Sequence, residues 1–519
     1  MSISLALVFG SAAATYLFLF ALLHFTQTSN EPPTIDNWIP FISPLLGYLL
    51  GRQRYFVKLR DKYGLPILTL RMPGQRIYVV NALQLVQSLQ RHSKIIAFHP
   101  IEAQAAATVM GVGPAGNAII GSHKMFEDDS YLSTFVPSVH PALSPGTGLD
   151  ALNNAAIRYM SGSLATLNGN GPTKVELFSW VRHQLFMATT ESIYGPKNPF
   201  HDPALEQAWY DFEPGIMAHM LKAWPSVLAR KSLHAREKLL IPAFEKYFAE
   251  NGHHQGSLLV QCRYNHNTSH GLRGRDVAAT EIGQMVASLT NSVASAFWMV
   301  YHVFSDPVVL KDCRAEVEKL MQVDNNGVST VDLANVKSAC PILLSTWQET
   351  LRYVHIGIGA RVVMEDIKLD NKYLLKKGAT VMTVVPIQHT DATLWGPDVD
   401  TFDHRRFLRG PGNKRRTNPA AFRSFGGGAV LCPGRHFVST EVMSFAALLL
   451  LRSDLKPVTK DGLWLKPRKD IPMTSSMPTP KNKLQVEIVP RDRRKWKVEF
   501  SASSKGVNMV EEDVVGGGR

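Results

Sequence analysis

The N-terminal hydrophobic pattern is one uninterrupted apolar run. Residues Ile3 to Phe25 include no charged side chain, and leucine, valine, alanine and phenylalanine dominate. This matches the ~20 residues that a helix needs to span a bilayer. A secretory signal would begin with basic residues and have a shorter apolar core, so the pattern predicts an uncleaved anchor in residues 1–30, with its helix at about 3–25. Prolines at 32, 33, 40 and 44 predict a stiff hinge over residues 31–50.

Beyond the hinge, the spacing of apolar positions predicts a mainly helical domain with a smaller β region over residues 51–490. Tyr55–Tyr63 has the period of an amphipathic helix, and Val277–Phe304 is a long apolar helix followed by a helix start at Asp306-Pro307. The other predicted segments are a hairpin of Leu68–Leu70 and Ile77–Val80 around Pro73-Gly74, strands at Ile367–Leu369 and Thr380–Val385, loops at Pro100–Thr147 and Asn251–Arg275, and a disordered tail over 491–519.

Composition and charge narrow the class of protein. The 519 residues would fill two or three average domains or one large helical domain. Four cysteines without paired spacing argue against a disulfide framework and for a reducing compartment. The 56 Lys and Arg against 43 Asp and Glu give a net charge of +13, which suits nucleic acid, an anionic membrane or an acidic protein. Nucleic acid is not expected, because no motif for it is present.

One basic run leads into the last cysteine. It is predicted either to bind an acidic protein partner or to be a solvated loop. Its members are Arg405, Arg406, Arg409, Lys414, Arg415, Arg416 and Arg423.

A glycine-rich segment around that cysteine carries the strongest chemical signal. Cys432 lies between Gly428 and Gly434, Phe425 precedes it by seven residues, and the apolar stretch His436–Leu451 follows as a helix. Glycines let the backbone approach a flat group and point N–H groups at sulfur, and a helix start favours thiolate. A cysteinate ligand of a haem iron requires such a buried, ionised sulfur facing a flat group. The alternative is a packed core cysteine, but the spacing Phe-x-x-Gly-x-x-x-Cys-x-Gly resembles the haem-binding signature of the cytochrome P450 family.

Two further segments are similar to the same family. Glu349 and Arg352 share a helix face with apolar neighbours, so the pair is expected to be buried. A buried arginine pair needs further partners. The resemblance implies that Arg406, in the stretch Phe-Asp-His-Arg-Arg-Phe, completes a Glu-Arg-Arg network with a structural role. His404 stands where the family usually has proline.

The long apolar helix departs from the family pattern. Most members have Ala-Gly-x-Asp/Glu-Thr, whose acid and alcohol help to deliver protons to the reacting oxygen. Here Thr290 replaces the acid and Asn291 the alcohol, which resembles the branch with cholesterol 7α-hydroxylase and prostacyclin synthase. Asn291 can hydrogen-bond oxygen or water but has no carboxylic proton. We therefore expect a solvent relay through Thr290 or Ser292; alternatively, Asn291 only fills a notch facing another helix.

The partner of a haem propionate is less clearly marked. Arg361, nine residues after Arg352, matches an arginine of the cholesterol-hydroxylase branch and is the candidate. The alternative is an ordinary arginine at a strand end. Val430 occupies the position where many members have arginine or histidine. A separate Cys-x-x-x-His-x-x-x-His spacing at residues 262–270 would suit zinc on a helix, but its polar neighbours favour a surface loop.

The resemblance covers about Glu31 to Pro490 and implies the cytochrome P450 fold, preceded by one transmembrane helix. It implies a haem-thiolate monooxygenase with haem b, in which Cys432 is the axial ligand. Electrons would come from NADPH through a separate NADPH-cytochrome P450 reductase, with cytochrome b5 as a further candidate donor. The location implied is the endoplasmic reticulum membrane, single-pass, with the catalytic domain on the cytosolic face.

The substrate implied is a hydrophobic small molecule. The form of the cysteine loop is similar to that of fungal enzymes of secondary metabolism, so a terpenoid, steroid-like, alkaloid or polyketide intermediate is expected. Two other functions stay open. One is a peroxide isomerase or dehydratase of the prostacyclin-synthase type, which needs no reductase. The other is a non-catalytic haem protein.

Overall fold

The computed structural model describes residues 2–35, 38–169, 171–408, 418–491, 494–502 and 509–510. The chain divides into two compact units that are interleaved in sequence. The first unit comprises Met1–Ile101, His355–Asp400 and Asn418–Leu431, and the second comprises Glu102–Val354, Thr401–Thr417 and Cys432–Arg519. The predicted fold class, mainly α with a smaller β region, is confirmed. The predicted domain boundaries at 30, 50 and 490 stay predictions.

Helices make up most of the described chain. In chain order they are α1 (Ser2–Thr26), α2 (Ile42–Gly51), α3 (Gln53–Tyr63), α4 (Leu83–Arg91), α5 (His99–Ala105), α6 (Pro114–Ile120), α7 (Tyr131–Leu143), α8 (Thr147–Ala165), α9 (Leu177–Tyr194), α10 (Pro203–Phe212), α11 (Ile216–Met220), α12 (Pro225–Leu228), α13 (Arg230–His234), α14 (Ile241–Ala249), α15 (Leu258–Ser269), α16 (Gly274–Leu289), α17 (Ser292–Ser305), α18 (Pro307–Val317), α19 (Val336–Ala339), α20 (Pro341–Val354), α21 (Val385–His389), α22 (Ala392–Trp395) and α23 (Arg435–Arg452). The π-helical segment Ala106–Met110 continues α5, and a second one, Ala235–Leu240, precedes α14.

Strands form several small sheets. They are β1 (Ile67–Met72), β2 (Gln75–Val80), β3 (Ile96–Ala97), β4 (Thr173–Glu176), β5 (Met321–Val323), β6 (Val328–Asp332), β7 (Ile358–Val363), β8 (Ile367–Leu369), β9 (Tyr373–Leu375), β10 (Thr380–Val384), β11 (Ser453–Pro457), β12 (Lys469–Asp470), β13 (Thr479–Pro480), β14 (Gln485–Pro490) and β15 (Lys495–Glu499). The first unit has the sheet β1-β2-β10-β7-β3 and the pair β8-β9. The second has β11-β14-β4, β12-β13 and β15-β6-β5.

In the first unit, the β1–β2 hairpin confirms the sequence prediction. The antiparallel register runs from Ile67 opposite Val80 to Met72 opposite Gln75. Gly74 closes the turn at a φ of +68°, a left-handed conformation that glycine adopts at little cost. β10 then pairs parallel to β2 and antiparallel to β7. Both faces of this sheet carry buried hydrophobic clusters, which explains why most positions in its strands are apolar.

The predicted N-terminal helix is present as α1, and its residues Leu7–Thr26 are long and apolar enough to cross a bilayer. The helix end is bonded to the hairpin of the first unit. Arg76 Nη2 donates to the Thr26 carbonyl at 2.7 Å, and Arg71 Nη2 donates to the Thr26 hydroxyl at 3.0 Å. These bonds satisfy carbonyl groups that a helix terminus leaves without partners. The chain therefore does not leave the anchor as a free linker.

The second unit has α23 at its centre. This helix packs against α8, α17, α18 and α20, and nearly all of its residues are buried. A helix that is apolar on all sides is stable only when neighbours cover it on all sides. The residues that start α23, from Cys432 onward, are thereby attached to the packed core of the second unit.

Two predicted loops are wrong in part. Pro100–Thr147 and Asn251–Arg275 are not simple loops, because they contain α5 to α7 and α15. Pro114 occupies the first turn of α6 and Ser257 caps α15, so these residue types mark helix starts rather than loops. The predicted hinge over 31–50 stays a prediction; it contains α2, whose Pro44 lies in the first turn, where proline is tolerated.

The predicted disordered tail is also wrong where the structure describes it. Residues Lys495–Glu499 form β15, which pairs parallel to β6. The stretch alternates charged residues with Trp496 and Val498, the period of a strand. Residues 492–493, 503–508 and 511–519 of the predicted tail lie outside the described residues.

Candidate active site

Cys432 lies two residues before Gly434, the residue that caps the N-terminus of α23. The backbone N–H groups of Gly434 and Arg435 are both hydrogen-bonded to its sulfur. Burial raises the pKa of the Cys432 thiol, whereas the N–H of Gly434 and the charge and N–H of Arg435 lower it, and the net shift is upward. A coordinated metal cation deprotonates a thiol. The sequence leads us to expect an ionised Cys432 sulfur. The start of α23 does not lower the net pKa of the thiol, so a coordinated metal is needed as well to ionise it.

The loop before Cys432 ends the first unit and depends on two glycines. Gly426 has a φ of +81° and Gly428 a φ of +59°. A Cβ at Gly428 would lie 2.9 Å from Cγ of Gln90, so a side chain there is excluded by both strain and space. Gly434 differs, because its φ is −83° and a Cβ would lie 4.0 Å from the Cys432 sulfur. Phe425 is buried in the first unit.

The predicted Glu-Arg-Arg cluster is assembled in the second unit. Arg352 on α20 forms a bidentate pair with Glu349, with Nε and Nη2 each 2.7 Å from a carboxylate oxygen. Arg406 Nε lies 3.1 Å from both oxygens, and the backbone N–H of Asp403 donates to Glu349 at 3.1 Å. All three charged side chains are buried. The cluster joins α20 to the Thr401–Phe407 segment, since Arg406 Nη2 also donates to the Thr401 carbonyl at 3.0 Å.

The basic run before Cys432 is not one exposed surface. Arg406 is buried in the cluster above, and Arg423 is buried in the first unit. Arg405 is exposed and pairs with Asp312 at 2.6 Å, and Asp312 also bonds His404 at 2.8 Å. Arg409, Lys414, Arg415 and Arg416 lie outside the described residues. Burial therefore removes two members of the run from any docking surface.

The long apolar helix predicted over Val277–Phe304 is interrupted at Thr290 and Asn291, between α16 and α17. The interruption gives the three candidate residues different environments. Ser292 Oγ donates to the Ser288 carbonyl, one turn back along the helix. Asn291 Oδ1 accepts the Ser476 backbone N–H at 2.8 Å. Among the described residues, the Thr290 hydroxyl is buried and has no hydrogen-bond partner.

A buried hydroxyl without a partner is rare in folded proteins and marks a position where water or a ligand is expected. Of the three candidates, only Thr290 therefore has a side chain that can still bond water or a ligand. The other two are occupied by hydrogen bonds within the chain. The sequence did not reveal the partner of Asn291, because Ser476 is 185 residues further along.

Arg361 lies on β7 in the first unit and carries an uncompensated charge. Its Nη1 donates to the Leu89 carbonyl at 3.3 Å, and no carboxylate of the described chain pairs with it. Burial, together with the nearby charge of Arg423, lowers its pKa to about 10. In the same unit, His355 is buried, its pKa is lowered to about 4 by burial, and its Nε2 lies 3.1 Å from the Ser424 carbonyl.

The predicted surface loop around Cys262 is instead helix α15, the conformation in which this spacing would suit zinc. His266 and His270 both direct Nε2 at the Thr134 hydroxyl, at 3.1 and 3.0 Å. Within the described residues, no group of three metal-ligating side chains is present. The two histidines act as hydrogen-bonding partners between α7 and α15.

Comparison with known proteins agrees with this geometry. The family model for cytochrome P450 matches residues 209–486 of the chain. A cytochrome P450 monooxygenase, nodJ, from Hypoxylon pulicicidum is 34% identical over 482 residues, which cover 90% of this chain and 91% of that protein. This chain belongs to the cytochrome P450 family.

Less similar relatives are cytochromes P450 as well. A cytochrome P450 monooxygenase from Gibberella zeae is 27% identical over 93% of both chains. Cytochrome P450 7B1 from Mus musculus is 25% identical over 87% of this chain and 90% of that protein. The resemblance inferred from the cysteine loop is confirmed, and the cytochrome P450 chain is a monooxygenase and an oxidoreductase. The family implies a haem-thiolate iron centre.

Proposed function

We propose that this cytochrome P450 hydroxylates a hydrophobic intermediate of secondary metabolism, with Cys432 as the axial ligand of haem b. The observation that carries the assignment is the position of the Cys432 sulfur at the start of α23, where two backbone N–H groups face it. These N–H groups stabilise negative charge on a thiolate and tune its donation to iron. When bound, the haem supplies the oxygen activation that no side chain of the protein can perform.

Each unit, taken by itself, has residues that suit such a group. Gly428 keeps the loop before Cys432 in a conformation that excludes a side chain. Arg361 is a half-buried cation without an acidic partner in the described chain, which a propionate carboxylate would neutralise. We propose Arg361 as a propionate partner. Phe425, buried in the same unit, would pack beside the loop, and the Glu349 cluster would hold the segment before it.

We propose Thr290 as the residue that handles protons or water at the reacting centre. Its hydroxyl is the unpartnered buried group at the helix interruption, and a hydroxyl can accept and donate at once. Ser292 is a weaker candidate, because its hydroxyl already donates to the Ser288 carbonyl. With threonine in place of an acid, the proton must come from solvent through ordered water.

We propose that the protein is a single-pass protein of the endoplasmic reticulum membrane, with the catalytic domain on the cytosolic face and NADPH-cytochrome P450 reductase as its electron donor. Helix α1 supports the anchor. A second apolar surface in the second unit supports membrane contact. It consists of exposed Leu221, Trp224, Val227 and Leu228, with basic Lys231 following. Such a combination binds at the interface of an anionic bilayer.

The deciding experiment is the carbon monoxide difference spectrum of the reduced protein in microsomes. We expect a strongly red-shifted Soret band in the parent and its loss in Cys432→Ala. Cys262→Ala is the matched control, since that cysteine is also partly exposed and lies on a helix remote in sequence. A red-shifted band that persists in Cys432→Ala would remove this cysteine as the ligand.

A second experiment separates a monooxygenase cycle from peroxide isomerisation. Candidate terpenoids and steroids are incubated with and without NADPH and reductase. We expect oxygenated product only when both are present. Turnover of a peroxide substrate without reductase, and no turnover with it, would instead favour the isomerase.

A further inference from the structure

The side chain of Asn291 ties the interrupted helix to a hairpin loop of the same unit. Strands β12 and β13 pair Lys469 with Pro480 and Asp470 with Thr479, so residues 471–478 form the loop between them. Asn291 Oδ1 accepts the backbone N–H of Ser476 at 2.8 Å and lies 3.1 Å from the Ser475 hydroxyl. The amide oxygen is thus held by the Ser476 N–H, while the single proton of the Ser475 hydroxyl can reach either this oxygen or a carbonyl of its own loop.

The loop is ordered by further bonds. The Ser475 hydroxyl accepts the Met477 N–H at 3.0 Å and lies 2.6 Å from the Met477 carbonyl. Trp298 donates from Nε1 to the Pro478 carbonyl at 2.7 Å. Trp298 follows Asn291 by seven residues, about two helical turns, so both side chains project from one face of the helix. Two hydrogen bonds from that face therefore hold the loop, one at Ser476 and one at Pro478.

These contacts argue against a proton-relay role for Asn291. Its oxygen is committed to the loop, and its remaining amide group can only donate. A primary amide does not lose or gain a proton near neutral pH. Thr290, in contrast, has an unpartnered hydroxyl and is covalently next to the tie.

We propose that Asn291 is a positioning residue, whose side-chain oxygen fixes the β12–β13 loop against the helix interruption so that the loop orients the substrate beside Thr290. The inference rests on the proposed function for the placement of Thr290 at the reacting centre. It adds a positioning residue and gives a reason for asparagine at this position. Aspartate would preserve the acceptor, whereas alanine removes it.

The tie itself is tested by amide hydrogen exchange on the purified haem protein. Asn291→Ala should accelerate exchange at Ser476 about tenfold, the effect of losing one hydrogen bond, while Asn291→Asp retains the parent rate. Trp298→Phe should accelerate exchange within residues 471–478 without affecting α16. Unchanged exchange at Ser476 in Asn291→Ala would overturn the proposal.

The link to the substrate is tested with two azole probes of different size, both read from the shift of the haem Soret band. Clotrimazole is bulky, whereas imidazole is too small to need the loop. We expect Asn291→Ala to weaken clotrimazole about fivefold to tenfold and to leave imidazole unchanged, with Asn291→Asp restoring the parent affinity. Equal weakening of both probes, or unchanged clotrimazole binding despite faster exchange, would overturn the positioning role.

The haem assignment and the positioning role of Asn291 are refuted by different results. If imidazole produces no Soret shift even in the parent, the haem assignment fails, although hydrogen exchange still reports on the tie. If imidazole binds normally and the Ser476 amide is indifferent to Asn291, only the positioning role fails.

Discussion

Replacing Glu349 by glutamine should destabilise the second unit far more than the same change at a surface glutamate. The Glu349 carboxylate is fully buried and is the counter-ion of both Arg352 and Arg406. Its oxygens receive charge-assisted bonds of 2.7 Å from Arg352 and contacts of 3.1 Å from Arg406. Glutamine keeps the volume but leaves two buried guanidinium groups without a negative charge between them.

Removing one partner of a buried ion pair costs about 3–5 kcal/mol, because the remaining charge stays buried. For a chain of 519 residues, the usual unfolding entropy per residue corresponds to about 1 kcal/mol of stability per degree. Glu349→Gln should therefore lower the midpoint of thermal unfolding by about 3–5 °C. Arg406→Leu should cost less, because it leaves the bidentate Glu349–Arg352 pair electrically neutral.

The assay is scanning calorimetry of the haem protein at one fixed scan rate, since unfolding of a chain this large is often irreversible. Glu318→Gln is the matched control, because Glu318 is half-exposed and pairs with Arg491 at 3.0 Å. An exposed pair contributes about 0–1 kcal/mol, so the control should shift by about 1 °C or less. Equal shifts for the two glutamine variants, or a larger loss for Arg406→Leu than for Glu349→Gln, would refute the reasoning.

Three further predictions follow from single side chains. Gly428→Ala should lower the yield of haem-loaded protein, measured by the reduced carbon monoxide spectrum, whereas Gly434→Ala should not, because only Gly428 has a positive φ. Thr290→Val should lower the product formed per NADPH consumed, whereas Ser292→Ala should leave this coupling unchanged. Burial raises the pKa of Glu441 to about 8. Between pH 4.5 and about 8 the folded state therefore holds a proton that the unfolded chain releases, so the stability of the parent protein should fall as the pH rises through this range. Glu441→Gln should remove that dependence, seen as a melting temperature that rises relative to the parent between pH 6 and pH 8.

Local pattern was sufficient for the elements whose period is regular. The apolar run of α1, the β1–β2 hairpin around Gly74 and the aspartate cap of α18 are in the structure as predicted. The segment Pro100–Thr147 was not predictable in the same way, because its helices are short and interrupted by their own start and stop residues. Proline and glycine were interpreted as loop residues, whereas here they delimit helices.

The candidate site shows the same division between local and distant information. The spacing around Cys432 is contained within eleven residues, so the sequence alone marks it as a ligand loop. The partners of Asn291 are about 185 residues away in a loop without a regular pattern, so its hydrogen bond could only be found in three dimensions. The neutralising role of Glu349 was predicted from helix spacing, but the contribution of the Asp403 backbone was not.

At the helix interruption, the Thr290 hydroxyl bonds no other group of the described chain, and a different side chain would avoid the cost in stability. A buried hydroxyl that bonds no group of the protein costs about 1–3 kcal/mol of stability unless water or a ligand satisfies it, and valine at position 290 would have the same shape without that cost. Neighbouring Ser292 and Ser295 both satisfy their hydroxyl groups on helix carbonyls, so the local backbone can provide acceptors. Retaining the unsatisfied group at Thr290, directly beside the residue that fixes the β12–β13 loop, is the pattern expected where stability is exchanged for activity. It follows that Thr290→Val should unfold at the same temperature as the parent or higher while coupling falls, and a variant that loses both would indicate that the hydroxyl serves the fold instead.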